Sequence, residues 1–144
     1  MSHQTAPSPP QPTGTFPHFT TLHPPTPQAA REARLLARAQ LLSWGWPLDP
    51  AENIVGELTA NAATHGRVPD RGFRLTLYTV GDTLRIEVTD TLGDHLPRLT
   101  HPRLDHVSGR GLFLVEALAD TWGVSGGPYP RKTVWAEVRA ERSR

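Results

Sequence analysis

The sequence predicts an α+β fold: a two-layer α/β sandwich in which a mixed, mostly antiparallel sheet carries its helices on one face. Three observations predict it. Two pairs of strand-like runs are each joined by a short glycine-containing turn, the signature of antiparallel hairpins. Three further runs place apolar residues at helical spacing. Their order is strand, helix, helix, strand, strand, loop, helix, strand, strand, which is not the strict alternation of a parallel α/β fold.

Each element has its own punctuation. No Asp, Glu, Lys or Arg occurs in residues 1–30, which hold 8 of the 15 prolines. A stretch like that buries too little apolar surface to offset its ordering entropy, so residues 1–15 read as a disordered Pro-rich tail and 16–144 as one domain. Phe16 to Leu22 follows as a short strand flanked by prolines, as edge strands allow. Pro24, Pro25 and Pro27 exclude regular structure until a helix from about Gln28 to Ser43. Its apolar positions are Leu35, Ala39 and Leu42, with Leu36 beside them, and Gly45 with Pro47 ends it. The second helix opens on Asp49 as N-cap, Pro50 at the first helical position and Glu52 three residues after the cap, a capping box. It runs to about His65 and stops at Gly66.

Phe73, Leu75 and Leu77 alternate with Arg74, Thr76 and Tyr78, and after Gly81-Asp82 the alternation resumes with Leu84, Ile86 and Val88. This is a hairpin with one buried face. Residues 91–108 carry no periodicity and read as a loop longer than ordinary connections need, a lid, a binding loop or disorder. Gly111 to Asp120 forms the third helix, with Leu112, Val115, Leu118 and Ala119 on one side. Trp122 to Ser125, a turn at Gly126-Gly127-Pro128, and Thr133 to Arg139 close the chain as a second hairpin.

Composition then excludes whole classes of function. Fifteen Lys and Arg against fourteen Asp and Glu leave a formal charge of +1, so no broad electrostatic attraction to nucleic acid or an anionic membrane is expected. Cysteine is absent, which removes thiolate metal sites and thiol catalysis. No apolar run approaches the ~18 residues of a membrane helix. The expectation is a soluble, cytoplasmic protein with no nucleic-acid and no membrane partner. His95, His101 and His106 match no metal-ligand spacing and read as polar loop residues. Arg31, Arg34 and Arg38 form a basic stripe on the first helix, either a solvated face or a partner-docking surface. The four tryptophans are assigned to packing.

Three stretches carry possible chemistry. Glu57 and Asn61 stand four apart on the second helix and share a face. A carboxylate can accept a proton from an attacking hydroxyl, and an amide oxygen is a hard ligand suited to Mg²⁺; a solvated helix face is the plainer alternative. Asp90 ends an apolar strand, with Gly93 three residues on. A carboxylate accepts but does not donate, which suits an exocyclic amine and disfavours a carbonyl; a turn aspartate is the plainer alternative. Ser108-Gly109-Arg110-Gly111-Leu112 is a glycine-rich turn opening a helix, where bare amides and a guanidinium favour an anion; helix capping is the plainer alternative. Rossmann and P-loop fingerprints are missing.

Taken in order, with 33 residues from Glu57 to Asp90 and 19 from Asp90 to Gly109, these stretches make the chain resemble the GHKL (Bergerat-fold) ATP-binding family. Within it, the chain is most similar to the small bacterial anti-sigma factor serine/threonine kinases, over about residues 16–140. The resemblance implies that Glu57 to Gly66 is the N box, Asp90 to Gly93 the first glycine box and Gly109 to Leu112 the second. It implies Glu57 as general base, Asn61 as Mg²⁺ ligand and Asp90 as reader of the adenine amine. Gly93, Gly109, Arg110, Gly111 and Leu112 would border ATP under a lid of residues 94–108, with Thr133 near the adenine pocket. The implied cofactors are ATP and Mg²⁺. The implied partners are a sigma factor and an antagonist protein that is phosphorylated, and a homodimer is admitted because relatives often dimerise. One departure stands out: the family's Asp-x-Gly-x-Gly is Asp90-Thr91-Leu92-Gly93-Asp94 here. It motivates the alternative of a non-catalytic binding module on the same fold, with weakened or absent kinase activity.

Overall fold

A computed structural model describes residues 2–4, 17–65, 72–90, 107–126 and 132–140. Tail residues 5–15, Gly66, the loop 91–106 with Gly93, and the turn at Gly127 and Pro128 lie outside them. The elements are β1 (Ser2–Gln4), β2 (His18–His23), α1 (Pro27–Trp44), α2 (Ala51–His65), β3 (Phe73–Val80), β4 (Thr83–Asp90), α3 (Val107–Leu118), β5 (Thr121–Gly126) and β6 (Lys132–Arg139). The strands form one sheet in the order β1-β5-β6-β4-β3-β2. Every pairing is antiparallel except β1 with β5, so the expected mixed, mostly antiparallel sheet is present. Within the stretch expected to be disordered, Ser2–Gln4 instead pairs with Thr121–Gly123. A ladder bond needs only backbone groups, so a polar segment can occupy a sheet edge without burying side chains.

Helix α1 begins one residue before the expected start, on a proline expected to exclude structure. Thr26 is its N-cap, accepting from Ala29 N at 3.0 Å, and Pro27 takes the first helical position, where a missing N–H costs nothing. Gly45, at φ 72°, ends it in the left-handed conformation. Its N–H reaches Leu42 O at 3.0 Å while Trp46 N reaches Leu41 O at 2.9 Å, a Schellman cap. The buried face of α1 differs from the expected one. Ala29, Ala30, Ala33, Ala37 and Leu41 are buried, whereas Leu35, Leu36 and Leu42 are 64%, 45% and 57% exposed. Alanines let the helix backbone approach its neighbours closely, and the bulkier leucines are turned outward.

The capping box expected at the start of α2 does not form. The Glu52 carboxylate turns to α1, where Arg38 Nη1 lies 2.9 Å and Arg34 Nε 3.5 Å away. Arg34 Nη2 also donates to Asn53 Oδ1 at 2.9 Å. The guanidinium of Arg34 lies over Gly56, where an added Cβ would sit 2.7 Å from Nη1. Two of the three arginines in the basic stripe therefore join α1 to α2.

The hairpin of β3 and β4 turns at Gly81, φ 61°, with Val80 opposite Thr83. One face of the sheet packs on the helices: Phe73, Leu75, Leu77, Leu84, Ile86, Val88, Trp122, Val124, Val134, Ala136 and Val138 share a core with Ile54, Val55, Leu58 and Ala62 of α2 and Val115 of α3. The opposite face, expected to be polar and exposed, also holds buried groups. Arg85, Tyr78 and Trp135 are 3%, 5% and 2% exposed. Arg85 donates to Glu87 at 2.6 Å and Glu137 at 2.9 Å, and its guanidinium stacks 4.2 Å from the Trp135 ring centre. Burial pushes the Tyr78 phenol up from its ordinary range, with the neighbouring Arg85 charge working against it.

Candidate functional site

Chain connectivity gathers the candidate residues at one end of the sheet. In the register of β4 with β6, Asp90 stands opposite Lys132, and Gly126 of β5 stands opposite Lys132 on its other side. Helix α3 ends beside the far end of β5, where Asp120 N bonds Glu137 O at 2.9 Å. Its 12 residues rise about 18 Å, which returns its N-terminus toward the Asp90 end. Helix α2 delivers the chain to β3 at the same end through residues 66–71.

On α2, Glu57 and Asn61 are half-buried. At about 100° per residue they lie on the flank away from Arg34, which occupies the side of Glu52, Asn53 and Gly56. Thr59 is fully buried and satisfied by its own helix, donating to Val55 O at 2.8 Å. Asn61 is different: its Nδ2 is buried with no hydrogen-bond partner. A buried amide end without a partner is costly, and it fits a ligand that completes it. Swapping the two ends of the amide, a matter of rotation alone, presents Oδ1 in its place, the donor a hard cation takes. Among the described residues no group of three His, Cys, Asp or Glu could hold a metal.

The second glycine stretch lies elsewhere than expected. Gly109, Arg110, Gly111 and Leu112 fall inside α3, which begins at Val107, and not in a turn before it. Val107 and Ser108, assigned to the lid, are helical too. The unpaired N–H groups of this helix are therefore those of its first turn, around Val107 to Arg110.

Thr133, expected near the adenine pocket, is the second residue of β6. Its hydroxyl is 2.8 Å from Thr89 Oγ1, on the sheet face turned away from the helices, because strand residues alternate and Val134 faces the core. At that level of β6 the helix-facing position belongs to Lys132, which is 4% exposed. The sequence signal was available: Lys132, Val134, Ala136 and Val138 share one parity, which puts a charged residue on the apolar side. His23 lies at the same end of the sheet, buried, with Nε2 2.8 Å from Thr21 Oγ1 and its ring stacked on Phe73. Burial lowers its pKa below the usual imidazole value, and the charge of Glu32 opposes that shift.

No helix among the described residues is long and apolar enough to cross a membrane. The family described as histidine kinase-like ATPase domain matches residues 23–136. No curated protein sequence matches the chain. Among solved structures, the chain is similar to the crystal structure of the RsbU and RsbW domains of Rv1364c from Mycobacterium tuberculosis. The TM-score is 0.64 at 22% identity, over 88% of this chain and 33% of that one. The chain thus spans about a third of that structure, and the likeness is one of fold.

Proposed function

The chain belongs to the histidine kinase-like ATPase domain family, and from that premise we propose that it is a cytoplasmic Mg·ATP-dependent serine/threonine kinase of the anti-sigma factor type. Its partners are then a sigma factor that it sequesters and an antagonist protein that it phosphorylates. The observation that carries this reading is the half-buried Glu57–Asn61 pair, with the Asn61 amide nitrogen lacking a partner.

In this proposal Asn61 contributes its amide oxygen to Mg²⁺, which when bound supplies charge neutralisation at the phosphates. Asp90 accepts from the base, and the first-turn N–H groups of α3 with Arg110 border the phosphates. The serine or threonine hydroxyl oxygen of the antagonist attacks the γ-phosphorus, and its proton passes to the Glu57 carboxylate. The bond from that phosphorus to the β–γ bridging oxygen breaks, and ADP leaves with that oxygen. Catalysis of this kind is positioning plus proton acceptance, and the base accounts for ~10²–10⁴ in rate.

Thermal shift and calorimetry with Mg·ATP test the binding half. The wild type is expected to gain stability at millimolar nucleotide, and Asn61→Ala to lose that gain. Transfer of labelled γ-phosphate to the antagonist tests the other half. Glu57→Ala is expected to bind nucleotide yet transfer at a rate lower by roughly 10²-fold or more. The displaced glycines of Asp90-Thr91-Leu92-Gly93-Asp94 favour one second reading, a non-catalytic module that acts by sequestration. No heat and no thermal shift with Mg·ATP at millimolar nucleotide would favour it.

A further inference from the structure

The sheet has two faces, and helices cover only one of them. Helices α1, α2 and α3 all pack on the side of Leu75, Ile86 and Val134. On the other side no helix lies among the described residues, yet Trp135 and Arg85 are 2% and 3% exposed there. Glu87 and Glu137 satisfy part of the Arg85 guanidinium. Its Nη2 and the Trp135 Nε1 are buried with no hydrogen-bond partner. The guanidinium stacks 4.2 Å from the centre of the Trp135 ring, so the two donors stand side by side. Buried N–H groups are almost always paired, and this pair calls for carbonyl oxygens from a segment laid over it.

The path of the chain names the segment. β1 and β2 are the border strands, five strand spacings apart, or about 24 Å at ~4.8 Å each. With β1 parallel to β5 and the other pairings antiparallel, β1 and β2 run parallel to each other. The chain leaving Gln4 must therefore return to the start of β2, and a parallel connection crosses a face of the sheet. Residues 5–16 make that connection, and the helix side is filled. They carry no charged residue and have prolines at 7, 9, 10 and 12. As polyproline II, at ~3.1 Å per residue, the steps from Gln4 to Pro17 reach about 40 Å, ample for the span. That helix has no internal hydrogen bonds, which leaves its carbonyls to accept, and it docks on aromatic-lined surfaces. An uncharged cover also suits this face: Arg85 already has its carboxylates, and a further charge would be buried without a partner. We propose that the sheet face of Trp135 and Arg85 is a docking surface for the chain's own residues 5–16, whose carbonyls accept from Trp135 Nε1 and Arg85 Nη2. This docking stands whether or not the chain binds nucleotide.

The absence of cysteine allows one nitroxide to be attached to the full chain through Ser8→Cys, and NMR reads which nuclei it broadens. The Trp135 indole N–H and the Arg85 and Thr76 amides are expected to lose their signals, while the Leu35 and Leu42 amides of α1 keep theirs. Loss on α1 with the Trp135 signal retained, or loss nowhere, overturns the proposal. Mixing nitroxide-labelled chain without isotopes and isotope-enriched chain without nitroxide separates the remaining occupant. Loss of the Trp135 signal in that mixture assigns the face to the segment of a second copy, and it too overturns the proposal. Hydrogen exchange supplies a readout without any label. Replacing Pro7, Pro9, Pro10 and Pro12 together by Gly removes the preformed polyproline II conformation and should speed exchange of the Trp135 indole N–H by roughly 10-fold or more. Unchanged exchange in that variant means that the segment does not hold the indole, and the proposal fails.

Discussion

Arg85 and Ile86 are consecutive residues of β4, both nearly sealed from solvent, and they are buried by different physics. Ile86 points into the helix-covered core, where its neighbours are aliphatic and the stabilisation is removal of apolar area from water. Arg85 points to the other face, held by Glu87, Glu137 and the Trp135 ring. There the stabilisation is conditional, because each charge is tolerable only while its partner is present. One Arg85 nitrogen, Nη2, is buried without a hydrogen bond, as is Trp135 Nε1. The lesson is that a strand's two faces can be equally dry and respond oppositely to the same kind of substitution.

The largest expected effect is on the charged face. Arg85→Ala should cost about 3–5 kcal/mol in denaturant unfolding, because it empties the buried guanidinium site over Trp135 and leaves two partly buried carboxylates without their counter-charge. Replacing the whole set, Arg85→Met with Glu87→Leu and Glu137→Leu, should recover most of that loss; if the triple variant is no better than Arg85→Ala, the two faces do not differ in the way described. Next comes Ile86→Ala, expected to cost about 2–5 kcal/mol as a core cavity, with no recovery from changes on the opposite face. The smallest effect belongs to His23. Its folded pKa lies below the ordinary 6.5, so the unfolded chain binds the proton more readily. The stability it contributes is fully present above pH 6.5 and is lost as pH falls below that value toward the folded pKa. Melting temperatures across that window should drop in the wild type, and His23→Phe, which keeps a ring on Phe73, should flatten its share of the slope.

Much of the fold was legible because its signals are local. The Gly81 turn, the alternation of Leu84, Ile86 and Val88, and the Gly45 stop each act within a few residues. What escaped depended on distant partners. Glu52 looked like half of a capping box until Arg34 and Arg38 of α1 were brought against it. Leu35, Leu36 and Leu42 looked like the core face because they are large and apolar, but close helix packing selected the alanines together with Leu41. Arg85 read as a solvent-facing residue since its partner Glu137 is 52 positions away. At the site, residue types on α2 and at the end of β4 were legible from spacing. Which face Thr133 takes was not legible from its type, because a one-residue step exchanges the faces: it pairs with Thr89 on the face away from the helices, and Lys132 holds the helix-facing position.

The two outermost strands, β1 and β2, both come from the first 23 residues. A sheet border is a row of open hydrogen-bonding groups that can recruit another chain, and short or proline-marked strands make poor templates for such growth. β1 is three residues long and polar, and β2 follows Pro17. The uncharged beginning of the chain thus supplies the strands on both sides of the four-stranded centre, and its contribution to the core among the described residues is small, with Phe19 packed against the core and His23 stacked on Phe73.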